Sequence, residues 1–208
     1  MLPARTSIAP RAGIFLMALV SIVHVSLTGT GYGQTKGSPS SATAARPAKP
    51  IAPPPAVRYG TDGLPQPVIE MREAIGAAIR SGRVEDLRTA IELNEMKPVF
   101  GDGSASDPIV WLKQNSADGE GRELLAALAG ILDAGYVVLP LGRDAENNKV
   151  FVWPHFAETG VTALTPEREV ELLRLVPQQA AKAMRETGAY DHWRIGIGAD
   201  GVWHFLRK

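Results

Sequence analysis

The chain has 208 residues, of which 45% are hydrophobic and 21% charged, as is typical of a globular domain with short extensions. It contains no cysteine, which excludes disulfides, thiolate nucleophiles and zinc–thiolate centres. The 22 basic and 22 acidic side chains balance over the whole chain, but residues 67–208 hold 16 basic and 21 acidic ones. A net negative domain without a basic stripe argues against nucleic-acid binding.

Residues 1–33 have the pattern of a secretory signal peptide. Arg5 and Arg11 form a positively charged start, and an apolar run follows over residues 13–27. Small residues then predict cleavage before Gln34, so we expect an exported protein, periplasmic or secreted, with no membrane span after cleavage. The alternative is an uncleaved anchor, but the apolar run is shorter than the roughly 20 residues that a spanning helix requires.

Residues 34–66 are dominated by proline, alanine and serine. A segment with so few apolar side chains cannot offset the entropy cost of ordering, so we expect a disordered or polyproline linker. The simplest interpretation is a semi-rigid spacer, and the alternative is a docking ligand for a proline-binding partner. The folded domain is therefore expected at 67–208.

The first half of the domain has helical periodicity. Residues 66–82 predict an amphipathic helix, and a second helix over 83–95 completes an antiparallel pair. A short helix begins at the Asp107-Pro108 pair, which suits the cap and first position of a helix. The strongest helical pattern covers 122–134 and predicts the central core helix.

The second half alternates between strands and helices. Residues 136–141 and 149–153 predict one hairpin, and a helix follows from Thr165-Pro166 to Val176. A shorter alanine-rich helix ends at Gly188, and a second hairpin closes the chain. We therefore predict an α+β fold in which the two hairpins form one four-stranded antiparallel sheet with helices on one face.

The last hairpin turns at Asp200-Gly201, a dipeptide that favours the positive φ angles of tight turns. Strict alternation then assigns each side chain to one of two faces. The face expected in the core carries Trp193, Ile195, Ile197, Val202, His204 and Leu206. The opposite face carries Tyr190, His192, Arg194, Gly196 and Gly198, with Trp203 and Phe205 across from the glycines.

A binding groove is the site that these aromatic residues favour. Its walls would be Trp153, Tyr190, Trp203 and Phe205, with His192 and Arg194 as polar groups and His155 nearby. Such a groove suits a glycan, a peptide or a small anion, and the expected partner is a component of the cell envelope.

The sequence carries no motif of a known catalytic or metal centre. It lacks a nucleophile elbow, a nucleotide-binding glycine loop and a zinc-protease helix, so no cofactor is expected. Metal binding is not expected either, because His192 and His204 are assigned to opposite faces. An acid–base pair of His192 with a carboxylate such as Glu158 leaves a small hydrolase or lyase as the alternative function.

Four motifs carry a family resemblance over residues 68–208. They are Gly119-Glu-Gly-Arg122, Val152-Trp-Pro-His-Phe-Ala157, Leu164-Thr-Pro166 and Arg194-Ile-Gly-Ile-Gly-Ala-Asp-Gly-Val-Trp-His-Phe205. Together they resemble a group of exported bacterial proteins of unknown function, a resemblance that implies no activity and no catalytic residues. The run Ala78-Ile-Arg-Ser-Gly-Arg-Val-Glu-Asp-Leu-Arg88 also resembles the first helices of NTF2-like α+β domains, which implies a third hypothesis, a small-ligand carrier with an apolar pocket.

Overall fold

The computed structural model describes residues 54–144 and 148–208. The predicted signal peptide and most of the predicted linker lie outside the described residues. Within them the chain has the predicted α+β class, with seven α-helices and one five-stranded sheet. None of the described helices is both long and apolar enough to cross a membrane.

The helices follow the predicted order closely. In chain order they are α1 (Gln66–Ser81), α2 (Leu87–Glu92) after a 3₁₀ turn at Val84–Asp86, α3 (Pro108–Gln114), α4 (Arg122–Asp133), α5 (Phe156–Thr159), α6 (Pro166–Leu175) and α7 (Gln178–Thr187). The two predicted N-caps are confirmed. The Asp107 side chain accepts hydrogen bonds from two N–H groups of α3, and Thr165 accepts one from Arg168 of α6.

The sheet joins the two predicted hairpins. Its strands are β1 (Val99–Phe100), β2 (Val137–Pro140), β3 (Lys149–Trp153), β4 (Arg194–Gly198) and β5 (Trp203–Arg207), in the spatial order β1-β5-β4-β3-β2. The antiparallel pairing of β3 with β4 unites the hairpins, so a segment near residue 150 lies beside the end of the chain.

Strand β1 departs from the prediction of four antiparallel strands. It has two residues and runs parallel to β5, so that Phe100 lies opposite Leu206. The N–H of Gly101 extends this ladder by donating to the carbonyl of Leu206 over 2.9 Å. The predicted sheet is therefore wrong in strand number and in the direction of one strand, because a two-residue strand has no alternation to detect.

A β-bulge in the last hairpin changes the faces of two side chains. Gly196 pairs with Phe205, as the predicted turn requires, whereas the next residue, Ile197, pairs with Trp203. His204 is thus the extra residue of β5 at this step. Trp203 lies with Ile197 in the core and is fully buried, while His204 is half-buried. The predicted faces of Trp203 and His204 are wrong, because alternation counted from the turn misses an inserted residue.

The main core lies between one face of the sheet and helices α1 and α4. Buried side chains from both layers form a single apolar cluster. Its sheet members are Phe100, Phe151, Trp153, Ile195, Ile197, Trp203 and Leu206. This burial of large apolar surface is the main source of stability for the fold.

The opposite face of the sheet is partly covered as well. Val137, Val150 and Val152 are buried there under Val57 and under Ala157 of α5. Helices α5, α6 and α7 enclose a further apolar cluster that includes Phe156, Leu172 and Tyr190. Ala157 of α5 packs against both the cluster on this face of the sheet and the cluster enclosed by α5, α6 and α7. A helix therefore covers the second face too, and the prediction of helices on one face alone is incomplete.

Candidate binding site

Four of the seven predicted site residues lie in the interior, one of them being Tyr190. Trp153, His155 and Trp203 are each fully buried. The indole N–H of Trp203 donates to the carbonyl of Phe205 over 3.0 Å, and the ring of Trp153 packs 5.0 Å from that of Tyr136. The structure therefore does not bring these two tryptophans together with Phe205 in one groove.

His155 belongs to a closed network of hydrogen bonds. Its Nε2 lies 3.3 Å from Oε2 of Glu171, and its Nδ1 lies 2.9 Å from the hydroxyl of Thr159. Because Nε2 faces a carboxylate, this nitrogen carries a proton. The other oxygen of Glu171 accepts the N–H of Gly135 over 2.7 Å, and the Tyr59 hydroxyl donates to Oε2 over 3.0 Å.

These contacts determine what Glu171 can do chemically. Burial raises the pKa of Glu171, but hydrogen bonds from His155, Gly135 and Tyr59 outweigh burial and hold its pKa below the ordinary value. A carboxylate with three donors and a lowered pKa is a weak base. The pair of His155 and Glu171 is therefore suited to fastening the Tyr59 segment and α6 to the sheet, and it is poorly suited to proton transfer.

The other predicted site residues lie at the far end of the last hairpin. The ring of Phe205 covers Gly196, and the guanidinium carbon of Arg207 lies 4.6 Å from the centre of that ring. Arg194 lies opposite Arg207 in the ladder. Tyr190 is buried, with its hydroxyl donating to the carbonyl of Trp193, and burial raises its pKa well above the usual range.

His192 is half-buried beside this end of the hairpin. Its pKa is lowered from the ordinary value, first by burial and then by the Lys208 cation, while the carboxylates of Asp191 and Glu123 oppose this shift. Its ring lies 6.4 Å from that of Tyr190. Glu158, the carboxylate that the sequence pairs with His192, is not among the groups that influence its pKa.

A cleft beside these residues brings together aromatic rings and cations. We call it the C-terminal cleft; its volume is about 240 Å³, and it is lined by Gly101, Trp111, Asn115, Trp193, Arg207 and Lys208. The rings of Trp111 and Trp193 meet edge to face, 5.9 Å apart and at 87°. The ammonium nitrogen of Lys208 lies 4.8 Å from the centre of the Trp193 ring.

Local structure explains why these side chains converge. The cap at Asp107 begins α3, and this places Trp111 at its fourth position. The indole ring lies close to Gly101, where an added β-carbon would be 2.7 Å from the ring. At the other side, the pairing of Arg194 with Arg207 brings Trp193 and Lys208 next to each other at the end of the ladder.

The polar groups of the cleft are mainly donors. No acidic side chain lines it, and neither Arg207 nor Lys208 forms an ion pair within residues 54–144 and 148–208. The indole N–H groups of Trp111 and Trp193 make no hydrogen bond to any described residue and are not among the buried unpartnered atoms. Asn115 donates to the Trp111 carbonyl over 2.9 Å and supplies the one side-chain acceptor of the lining.

Two larger clefts differ in charge. A groove of about 350 Å³ lies between α1 and α4, where Arg72 and Arg80 are offset by Glu73 and Asp133. Arg72 is also committed to the protein, since it donates to the Leu132 carbonyl over 2.7 Å.

The second cleft has a volume of about 280 Å³ and is mostly acidic, with Asp133, Glu167 and Glu171 beside Arg174. The C-terminal cleft therefore differs from both, because the two charged side chains of its lining, Arg207 and Lys208, are both cationic.

The described residues contain no group of three or more histidine or acidic side chains that could hold a metal ion. Comparison with protein-family models, with curated proteins and with solved structures found no match to the chain.

Of the residues that form the C-terminal cleft, sequence reasoning identified none as a site residue. Trp111 has the helical spacing of a core residue, and Asn115 lies in an apparent break after a helix. A signal for Lys208 was nevertheless present, because the predicted turn at Asp200-Gly201 already places position 208 across from Trp193.

Proposed function

We propose that this protein is an exported, non-catalytic binding module that takes an anionic ligand of the cell envelope in the C-terminal cleft. The observation that carries the proposal is the lining of the cleft, which includes Arg207, Lys208, Trp111 and Trp193 and no acidic side chain, with the Lys208 ammonium group 4.8 Å from the centre of the Trp193 ring. Unpaired cations and donors beside aromatic rings favour a ligand that is negatively charged and rich in acceptors.

The charge of the rest of the domain strengthens this argument. Residues 67–208 have a net charge of −5, so the surface as a whole repels anions. A cationic cleft on such a surface is a local feature, and its attraction for an anion does not come from a generally basic protein. The signal peptide predicted at 1–33 supplies the export part of the proposal.

The enzymatic alternative has less support from the geometry. Glu171 has its acceptor sites occupied and its pKa lowered, and His155 beside it is fully buried. The ring of His192 has no hydrogen-bond partner among the described residues, and the carboxylates of Asp191 and Glu123 influence its pKa more weakly than burial and Lys208 do. A carrier of the NTF2-like kind would hold its ligand in an enclosed apolar cavity, whereas the cleft of about 350 Å³ between α1 and α4 is an open groove.

The test is a titration of the purified protein with dextran sulfate, followed by tryptophan fluorescence at several salt concentrations. We expect binding that weakens with salt and that falls at least about tenfold in an Arg207→Ala/Lys208→Ala variant. A matched control, Lys97→Ala/Lys182→Ala, removes the same charge from exposed positions elsewhere. Equal affinities of the two double variants would contradict the proposal.

A further inference from the structure

We infer that Arg194 and Arg207 form a second anion-binding site, which takes a phosphate monoester group on the outer face of the sheet. The outer face is the one that carries Val150, Val152 and Phe205, away from the main core. The inference goes beyond the proposed function, because this face is opposite to the one on which Lys208 lies over Trp193.

The two arginines are paired across the last hairpin. Arg194 of β4 lies directly opposite Arg207 of β5, so both side chains leave the sheet on the same face. Side chains in such a pair have β-carbons about 4.5–5.5 Å apart. The guanidinium carbon of Arg207 lies 4.6 Å from the centre of the Phe205 ring, and that ring lies over Gly196, the next residue of β4 on this face. The site therefore consists of two neighbouring cations beside one aromatic ring.

Neither arginine has a partner that would offset its charge. Neither forms an ion pair with an acidic side chain in residues 54–144 and 148–208. Arg194 is half-buried, and its Nε is enclosed without a hydrogen-bond acceptor among the described residues. Like charges directly opposite each other destabilise a sheet, and a buried donor without an acceptor adds to that cost. The stability of the fold does not account for this pair, whereas an anion bound to both side chains offsets both costs.

The chemistry of the pair favours a group with two negative charges and several terminal oxygens. A guanidinium group binds an oxyanion through two parallel N–H groups. A carboxylate has one charge and two oxygens, which a single arginine satisfies. A phosphate monoester has three acceptor oxygens and a charge of about −1.5 to −2 at pH 7, so it can accept hydrogen bonds from both arginines at once.

The surroundings of the pair favour an ester over the free phosphate ion. The ring of Phe205 is half-buried, and Gly196 beneath it has no side chain. The surface beside the cations is thus apolar, and the carbon part of an ester gains from packing on it. Inorganic phosphate has no such part.

The experiment follows the Nε–H signal of Arg194 in proton–nitrogen NMR spectra of the purified protein. Arg194→Met identifies the signal by its loss. The probes are glycerol 3-phosphate, inorganic phosphate and glycerate, which has the same number of carbons as the first probe and one carboxylate. We expect glycerol 3-phosphate to bind at least about tenfold more tightly than glycerate and more tightly than inorganic phosphate. Equal or tighter binding of glycerate would overturn the phosphate assignment, and equal binding of inorganic phosphate would overturn the ester.

A matched pair of variants tests the site itself. Arg207→Gln alters an exposed side chain, and we expect it to weaken glycerol 3-phosphate binding at least about tenfold. The control is Arg58→Gln, which removes the same group from an exposed arginine beside Tyr136, near the other edge of the sheet. Equal affinities of the two variants would overturn the site.

Lys208→Gln separates this site from the C-terminal cleft. Lys208 lies over Trp193 on the other face, so its loss should weaken glycerol 3-phosphate binding by less than about threefold. A loss as large as that in Arg207→Gln would place the phosphate in the C-terminal cleft and overturn the second site. If dextran sulfate binding does not depend on Lys208 while glycerol 3-phosphate binding depends on Arg194 and Arg207, the proposed function fails and the second site stands.

Vesicles distinguish a lipid headgroup from a soluble ester. Phosphatidic acid carries a phosphate monoester, whereas phosphatidylglycerol carries a diester with one charge. Sedimentation with phosphatidylcholine vesicles that contain phosphatidic acid, lost in Arg207→Gln, would assign the site to a lipid headgroup. Binding of glycerol 3-phosphate without such sedimentation would assign it to a soluble ester. Equal sedimentation with phosphatidylglycerol vesicles of the same total charge would contradict the preference for a monoester.

Discussion

The aromatic ring of Phe205 lies directly over the α-carbon of Gly196 on the neighbouring strand, in the space that a side chain at 196 would occupy. The guanidinium group of Arg207 covers the outer face of the same ring. Gly196 is buried although it has no side chain, so the ring itself supplies the packing at this position.

This relationship predicts that Gly196→Ala destabilises the domain. The new methyl group would overlap the Phe205 ring, which would have to swing away from the sheet and from Arg207. We expect a loss of about 1–3 kcal/mol, as for other overpacked sites. Chemical denaturation followed by tryptophan fluorescence measures the change.

Gly130→Ala is the control for this substitution. Gly130 lies inside α4, and a β-carbon there would make an ordinary contact 3.5 Å from Leu175. Because alanine is favoured over glycine in a helix, the control should be neutral or stabilising by up to about 1 kcal/mol. Equal destabilisation of both variants would show that the effect does not come from the ring at 205.

The sequence was sufficient to predict the parts of the fold that depend on local pattern. Helical spacing, the caps at Asp107 and Thr165 and the turn at Asp200-Gly201 all correspond to structure that forms within a few residues. Strand β1 and the bulge at His204 were not predictable in this way, because each exists only through pairing with a distant partner. One inserted residue was enough to move Trp203 from the outer face to the core.

The residues of the candidate site also fall into two groups, those that a local sequence pattern predicts and those that depend on distant contacts. Arg194, His192 and Phe205 were assigned by alternation to the face away from the core, and Arg194 and Phe205 belong to the two paired strands of the last hairpin. Trp111 belongs to a helix that is about 80 residues earlier in the chain, and no periodicity links it to Trp193. Contacts of this kind depend on tertiary packing, which a single sequence does not encode in any local pattern.

The bulge itself predicts unequal effects for two neighbouring aromatic residues. Trp203 is fully buried against Phe100, whereas Phe205 is only half-buried. Trp203→Ala is therefore expected to cost about 3–5 kcal/mol, as for other buried aromatic residues, and Phe205→Ala clearly less. Denaturant midpoints of the two variants check this. If Phe205→Ala were the more damaging, Trp203 would not belong to the core face.

The network around Glu171 predicts loss of stability in acid. Because the folded protein holds the pKa of Glu171 below its ordinary value, this carboxylate stabilises the fold above about pH 4.3, the value of a free glutamate. That contribution is lost as the pH falls through the lowered pKa of the folded state. Glu171→Gln should cost about 1–3 kcal/mol at pH 7, and its difference from the wild type should shrink below pH 4.

Urea unfolding between pH 3 and pH 7 measures both effects. Glu186→Gln is the matched control, since Glu186 is an exposed residue of α7 that forms no ion pair with the residues the structure describes. The control should follow the wild-type curve throughout. A constant difference between the Glu171 variant and the wild type at every pH would mean that ionisation of this residue does not contribute to stability.

The side chain of Asn94 is expected to contribute more to the stability of the fold than an exposed asparagine does. Its side-chain oxygen accepts the N–H of Trp203 over 2.7 Å, and its amide donates to the carbonyls of Ala90 and Ile91 at the end of α2. Asn94→Ala leaves a part-buried N–H of β5 without a partner, at a cost of about 1–3 kcal/mol. Asn115→Ala, an exposed asparagine at the end of α3, should cost much less in the same thermal melts. Equal losses would show that the bond to β5 is unimportant.

The electrostatic influence of Lys208 on His192 predicts a measurable change in protonation. The Lys208 cation is the second-largest influence that lowers the pKa of His192, after burial. Lys208→Gln removes that charge, so the pKa of His192 should rise towards the ordinary value of about 6.5 while burial still keeps it below. Proton NMR titration of the histidine ring signals measures the shift, and Lys97→Gln, an exposed lysine before β1, is the control that should leave it unchanged. Because an anion bound beside Lys208 would also offset its charge, the same signal should rise in wild-type protein on addition of dextran sulfate. A His192 pKa that responds to neither change would place Lys208, and any ligand held by it, away from this end of the hairpin.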